Sequence, residues 1–359
     1  MALAPGNASY RALRGEFFES EGVNPDPDFQ TAAALSPLES SYWIRLGFRA
    51  EAENHFDQAE QYLLRAAAVD NKFDPRWALM NFYYRRQRDL DFWRWTERSF
   101  DFAYGDLTPL FRLAWQFTDD SGEISRHIPA RKDIQIAWLS FLLNTNRLEA
   151  SAPVARNLSE AAGKGSDIDI LMAWWAKNVQ PNPASALAIW NTLCDRHALP
   201  FRPLRPAEGD IVTNGDFSVP PTQQGYDWRL INIEGVSISV DANLHEFRIE
   251  MSGKEPEDFL VAEEPIPLSP RVSYAIDWDY QSQDAQSISG LHWQIDRNGP
   301  PLARADFTAS PERKTARLQF SSDAASTAHL SLHYTRPVGS TLAEGTAIIR
   351  KVTSQLIKQ

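Results

Sequence analysis

Five polar side chains in the C-terminal part of the chain could do binding chemistry together: Asp277, Asp279, His292, Gln294 and His333. Each stands between apolar residues that alternate along the chain. The runs are Tyr274, Ile276, Trp278, Tyr280, then Leu291, Trp293, Ile295, then Leu330, Leu332, Tyr334. Successive side chains of a strand point to opposite faces, so if the apolar set points inward the polar set points outward, and Asp296 goes with it. Carboxylate, amide and imidazole groups suit the hydroxyls of a sugar. An aromatic ring such as Trp228 would stack on a sugar's apolar face. The expectation is that the first five, with Trp228 as a sixth, form a ligand-binding set on one sheet face; the competing reading is that the polar ones are ordinary solvated positions and Trp228 is core.

Other chemistries fail on spacing. His245-Glu246-x-x-Ile249 lacks the second histidine of a zinc helix, and Gly163-Lys-Gly-Ser166 lacks the spacing of a phosphate loop. Asp277, Asp279 and Asp284 lack the glycine of a calcium loop. No G-x-S-x-G elbow occurs, and the single cysteine, Cys194, sits in a helical pattern at a core position. One cysteine also excludes an internal disulfide. Asp277 and Asp279 could serve a glycosidase, but two residues apart on one strand they face outward side by side. The sequence therefore predicts no catalytic residue, no metal and no cofactor.

The elements that must position these residues divide in two. Residues 1 to 198 repeat their apolar positions at three and four, the period of a helix, and residues 211 to 359 alternate at two, the period of a strand. Between them, residues 199–210 carry prolines at 200, 203 and 206, which favour an extended connector.

The helical part repeats. Trp43-Ile-Arg-Leu46-Gly47, then Phe56, Ala59, Leu63 and Ala66, and Trp77 with Tyr84 one period of 34 later, resemble tetratricopeptide repeats. Small Gly47 and Ala59 suit two helices that cross closely. The second unit departs from the pattern: Asn81 replaces the glycine and Trp93 the small alanine, which puts a regular second helix there in doubt. Ala2–Tyr10 resembles Ala34–Tyr42, and Ala137-Trp138 and Ala173-Trp174 mark later, divergent hairpins. Such units stack into a solenoid. Nine of the twelve tryptophans lie in this half, and the expectation is that they pack between helices, Trp43 and Trp77 among them.

In the strand half, Asn214-Gly215-Asp216-Phe217, then Gly225-Tyr-Asp227-Trp228, then Pro270 ahead of a strand led by Tyr274, resemble jelly-roll domains of the galactose-binding and carbohydrate-binding type. Asn214-Gly215 would supply a tight turn with positive φ, and Phe217 would enter the core. The stretch from His333 to Val352 reads as a hairpin pair. The order of motifs is similar to uncharacterised bacterial tetratricopeptide proteins with a carbohydrate-binding-like C-terminal domain. That resemblance implies a non-enzymatic adaptor: helical repeats for a protein partner, and a sandwich for glycan, in cell-envelope polysaccharide assembly or export. The alternatives are a glycan-active enzyme using jelly-roll carboxylates, and a cytoplasmic scaffold with no ligand on its sandwich. Many such jelly rolls hold calcium through an aspartate of the last strand. Arg350 and Lys351 occupy that stretch here, so no calcium is expected.

Composition bounds the partners. The formal net charge of −11 argues against nucleic acid. Residues 208–359 carry 13 basic and 21 acidic side chains against 23 and 26 in residues 1–207. A neutral polysaccharide suits the acidic half better than an anionic one. No apolar run of about 18 residues is present to span a membrane. Met1–Tyr10 lacks a basic then apolar leader. The expected compartment is the cytoplasm for the chain as given, or the cell envelope if an anchor precedes a start that falls in mid-repeat.

Overall fold

The structure is a computed structural model that describes residues 6–283, 289–297, 300–340 and 344–357. Asp284 and residues 2–5 of the partial repeat lie outside the described residues. Among the described residues there are twelve α-helices followed by a sandwich of two antiparallel five-stranded sheets. The chain divides into two compact units, Met1–Thr145 and Asn146–Gln359.

The first unit holds α1 (Ala8–Ser20), α2 (Asp26–Leu35), α3 (Ser40–Ala52), α4 (Phe56–Val69), α5 (Phe73–Arg86), α6 (Asp89–Phe102), α7 (Thr108–Phe117), α8 (Ser121–His127) and α9 (Lys132–Asn144). Consecutive helices pair, α1 with α2, α3 with α4 and α5 with α6, and each pair packs on the next. The crossing of α3 and α4 depends on Gly47, where a Cβ would lie 2.6 Å from Leu63 Cδ2. The same contact recurs between Gly15 and Phe29 in the first pair. α6 is a regular helix, contrary to the doubt that Trp93 raised. The indole stacks on His127 of α8, with centroids 4.3 Å apart, and meets Phe117 of α7 edge-on. A third helix therefore takes up the volume that the repeat pattern reserves for a small residue. Trp43 and Trp77 are half-buried rather than enclosed. Trp43 donates to Pro37 O at 3.0 Å and packs beside Tyr62, while Trp77 stacks on Phe73 of its own helix. Trp93, Trp95 and Trp138 are buried.

The second unit begins with α10 (Leu148–Glu160), α11 (Asp169–Asn178) and α12 (Pro183–Asp195) and continues into the sandwich. The proline-rich segment between them is packed. Phe201 stacks on Trp190 of α12, and Asn191 exchanges two hydrogen bonds with the Leu204 backbone. The strands are β1 (Arg229–Leu230), β2 (Val236–Asp241), β3 (Glu246–Ser252), β4 (Asp258–Leu268), β5 (Val272–Ser282), β6 (Leu291–Asp296), β7 (Ala303–Asp306), β8 (Lys314–Ser322), β9 (Ser326–Thr335) and β10 (Glu344–Leu356). The first sheet runs β1-β4-β9-β6-β7 and the second β2-β3-β10-β5-β8. Their inner faces enclose one core containing every apolar residue of the alternating runs.

One local expectation changes. β9 and β10 are not a hairpin: β9 pairs with β4 and β6, whereas β10 pairs with β3 and β5 in the other sheet. The Asn-Gly pair does supply a positive φ, through Asn214 (49°) rather than Gly215, and Phe217 (52°) adds a second that was not expected. Gly215 instead lets β10 approach, since its own C=O accepts from Val352 N–H at 2.6 Å. Phe217 enters the core as expected.

Candidate functional site: the outer face of the first sheet

The register fixes which predicted side chains meet. On the first sheet His292 pairs with His333 and Gln294 with Ser331. On its far side β9 pairs Ser331 with Glu263, and β1 sets Arg229 beside Glu263. On the β7 side Arg304 stands opposite Gln294. One row of hydrogen-bonding side chains thus crosses all five strands: Arg229, Glu263, Ser331, Gln294, Arg304. A second row adds His333, His292 and Asp306, and a third adds His329 and Asp296.

These groups are sunk into the surface and oriented by one another. His292 is only 2% exposed and its ring lies parallel to His333, centroids 5.7 Å apart. Its Nδ1 is 3.0 Å from Gly290 O. Gln294 donates to Asp296 at 3.0 Å, and His333 Nε2 lies 3.8 Å from the same carboxylate. Glu263 meets His329 Nδ1 at 3.2 Å and Arg229 at 3.9 Å. Hydrogen bonding from His329 holds the Glu263 carboxyl below its usual range, against the opposing effect of burial. Burial pushes the His333 imidazole down, opposed by Asp296 and helped by His292.

The helices close one end of this face. Thr327, on the same side of β9 as His329, donates to Val179 O just after α11 at 3.3 Å. Arg229 lies over the Trp175 ring at 5.8 Å and donates to Gly225 O. The rows from Glu263 to Asp306 therefore run away from a wall built by α11.

The six predicted residues do not share one face. His292, Gln294 and His333 come together. Asp277 and Asp279 lie on β5, in the second sheet, because the chain switches sheets from β4 to β5 and back again from β5 to β6. Both are engaged there. Arg317 grips Asp277 through two bonds of 2.6 and 2.8 Å, and Gln355 adds a third. Asp279 accepts from Thr315 and Arg313. Trp228 is core, 1% exposed, against Phe217 and Trp293, with its indole N–H on Thr213 O at 3.1 Å. It packs inward because the polar end of its ring finds a backbone acceptor inside the fold.

Arg229, Glu263, His329 and Ser331 belong to the face but were not singled out from the sequence. For His329 and Ser331 the signal was present, since they alternate with Leu330 and Leu332. β4 hid Glu263, because a bulge between Leu260 and Ala262 breaks its alternation. A separate cavity of about 330 Å³ lies between residues 200–219 and the end of β10, with Arg202, Asp210, Asp216 and Lys351 on its walls. Among the described residues no group of three His, Cys, Asp or Glu side chains is placed to hold a metal. None of the described helices is long and apolar enough to cross a membrane.

No family model matches the chain, and no curated protein matches it. Solved structures match parts of it. A CBM4 protein is 15% identical over 41% of this chain and 99% of its own, with a TM-score of 0.31. A CBM61 module in complex with β-1,4-galactotriose is 11% identical over 40% of this chain and 96% of its own, with a TM-score of 0.25. PilF of Pseudomonas aeruginosa is 11% identical over 49% of this chain and 92% of its own, with a TM-score of 0.26.

Proposed function

We propose that this protein is a non-enzymatic adaptor whose sandwich binds a neutral saccharide on the outer face of the first sheet and whose helical repeats hold a protein partner. The observation that carries the reading is the row Arg229, Glu263, Ser331, Gln294, Arg304, flanked by the His292–His333 pair. Its exposed members offer donors and acceptors along the direction in which a sugar chain would lie across the strands, while Ser331, 2% exposed, lies below the surface. Glu263 and Asp296 on that face disfavour uronate or sulfate groups. The outward positions of these strands carry imidazoles but no Trp, Tyr or Phe, so stacking contributes little and affinity is modest, on the order of micromolar to millimolar. On α1, Leu13 and Phe17 are exposed one turn apart, an apolar feature suited to a partner chain. A place in cell-envelope polysaccharide assembly or export is part of this reading and rests on the motif resemblance.

Titration calorimetry on the full chain, with neutral and acidic oligosaccharides side by side, tests it. The expected result is heat with a neutral set, abolished by Gln294→Ala with His333→Ala, and no new reducing ends after incubation. No heat with any sugar, preference for the acidic set, or binding unchanged in the double variant overturns the site. Release of reducing ends favours the enzyme instead.

A further inference from the structure

Among the buried side-chain oxygens of the second unit that have no hydrogen-bond partner are Glu264 Oε2, Asp227 Oδ1 and Thr213 Oγ1. Glu264 and Asp227 are fully buried and Thr213 nearly so. They come from three segments. Glu264 faces the core from β4, in register with Leu330, and its Oε1 accepts from Thr213 N–H at 2.5 Å. Thr213 opens the Asn-Gly turn and its C=O receives the Trp228 indole. Asp227 precedes Trp228, and its Oδ2 accepts from the backbone and hydroxyl of Thr222 at 2.5 and 2.8 Å.

The charges around the pair do not neutralise it. Asp227 and Arg229 are the charged groups that act on Glu264. The Arg229 guanidinium is held elsewhere, over Trp175, on Gly225 O and beside Glu263. Two ionised carboxylates enclosed together without a contacting cation are strongly disfavoured. A single proton relieves both the charge and the missing donor. Donor supply decides where it sits. Asp227 has Thr222, with the Trp228 N–H and the Asn214 side chain also favouring its ionised form, whereas Glu264 has Thr213 alone.

We propose that the folded protein keeps one proton on Glu264 Oε2, and that losing it at high pH loosens the segment 213–228 that ties the α11–α12 hairpin to the sandwich. That segment makes the tie through Tyr226, which meets Trp175 of α11 and Trp190 of α12 edge-on at 4.9 and 5.7 Å. Burial, then the neighbouring Asp227, raises the Glu264 carboxyl well above the usual range, with Thr213 and Arg229 opposing. A carboxyl raised in the folded state contributes stability that is complete below its unfolded value of about 4.3. The contribution falls as pH climbs toward the folded value. The proposal is independent of the saccharide reading.

Glu264→Gln tests it, because the amide keeps the acceptor for Thr213 and replaces the proton with permanent N–H donors. In the full chain the melting temperature should fall as pH rises above the ordinary carboxylate range, while E264Q should lack that fall and exceed the parent at high pH. Infrared difference spectra at neutral pH should show a protonated-carboxyl carbonyl band, absent from E264Q and retained in Asp227→Asn. Absence of that band, an equal pH slope in E264Q, or loss of the band in D227N overturns the assignment. A rise in melting temperature with sodium, magnesium or calcium chloride in the parent but not in E264Q would also overturn it, by showing that a cation occupies the cluster.

Discussion

The Gly225 backbone lies against the ring of Trp190 so closely that a Cβ there would sit 2.0 Å from Cζ3. Gly225 also has φ of +60°, a conformation that L side chains resist. Overpacking and a left-handed backbone each cost about 1–3 kcal/mol. Gly225→Ala should therefore destabilise the second unit by about 3 kcal/mol or more, read by denaturant unfolding. A variant as stable as the parent would mean that Trp190 does not pack there.

The same contact predicts where the chain can be cut. Phe201, Tyr226 and Thr327 all pack or bond onto residues of α11, α12 or the turn between them. A fragment from residue 146 to the end should unfold cooperatively. One from residue 208 should lose that transition or melt well below it, because it exposes Tyr226 and the outer face around Thr327. Equal melting of the two fragments would show that the sandwich needs no helices.

The tryptophans separate by burial. Trp138 is fully enclosed by Phe111, Phe141 and Trp115. Trp138→Ala should cost about 3–5 kcal/mol. Trp43 and Trp77 keep part of their surface in water, so their alanine variants should each cost about 1–2 kcal/mol. Equal losses at all three positions, measured by denaturant midpoint, would contradict this ordering.

Much of this architecture could be read from periodicity alone. The switch from a period near 3.6 to one of 2 falls across the prolines, and the inward runs through Trp278, Trp293 and Tyr334 all lie in the core. What periodicity cannot report is which sheet a strand joins. Asp277 and His292 both alternate correctly and both point away from the core, yet β5 and β6 stand in opposite sheets. Face is a local property of the chain, while sheet membership depends on connections between distant segments. Trp228 was ambiguous for a related reason, since its acceptor, Thr213 O, lies 15 residues away. The docking of α11 and α12 on the sandwich left its trace only in single residues such as Gly225.

That separation of the sheets is itself testable. Asp277→Asn and Asp279→Asn remove cross-strand partners of Arg317 and Arg313, on the face opposite the proposed site. Each pair is partly exposed, so each change should cost less than about 1 kcal/mol. Saccharide binding should be unchanged in both. The Arg317 bonds hold the Asp277 carboxyl below its ordinary range, so its stabilising effect is present above the unfolded value of about 3.9 and lost as pH falls through the folded one. D277N should lower stability by less than about 1 kcal/mol near neutrality and flatten its fall in acid, where the two proteins converge. A loss of sugar binding in either variant would bring the second sheet back into the site.

Cys194 offers a probe of the helical wall. It lies on α12 four residues after Trp190, is 2% exposed, and burial pushes its thiol up to about 12. Thiolate is the reactive form, and at pH 8 such a group holds on the order of one part in ten thousand of it. A thiol reagent should therefore label the native full chain slowly, at a rate set by opening of the α11–α12 hairpin rather than by reagent concentration once the reagent is in excess. Gly225→Ala should speed labelling, because it strains the contact that seats Trp190. High pH should speed it, because loss of the Glu264 proton makes opening more frequent, and E264Q should suppress that acceleration. Rapid, concentration-dependent labelling of the parent at pH 8 would show that Cys194 is accessible and that α12 is not held against the sandwich. Labelling unaffected by G225A would show that opening occurs elsewhere than at the Trp190 contact.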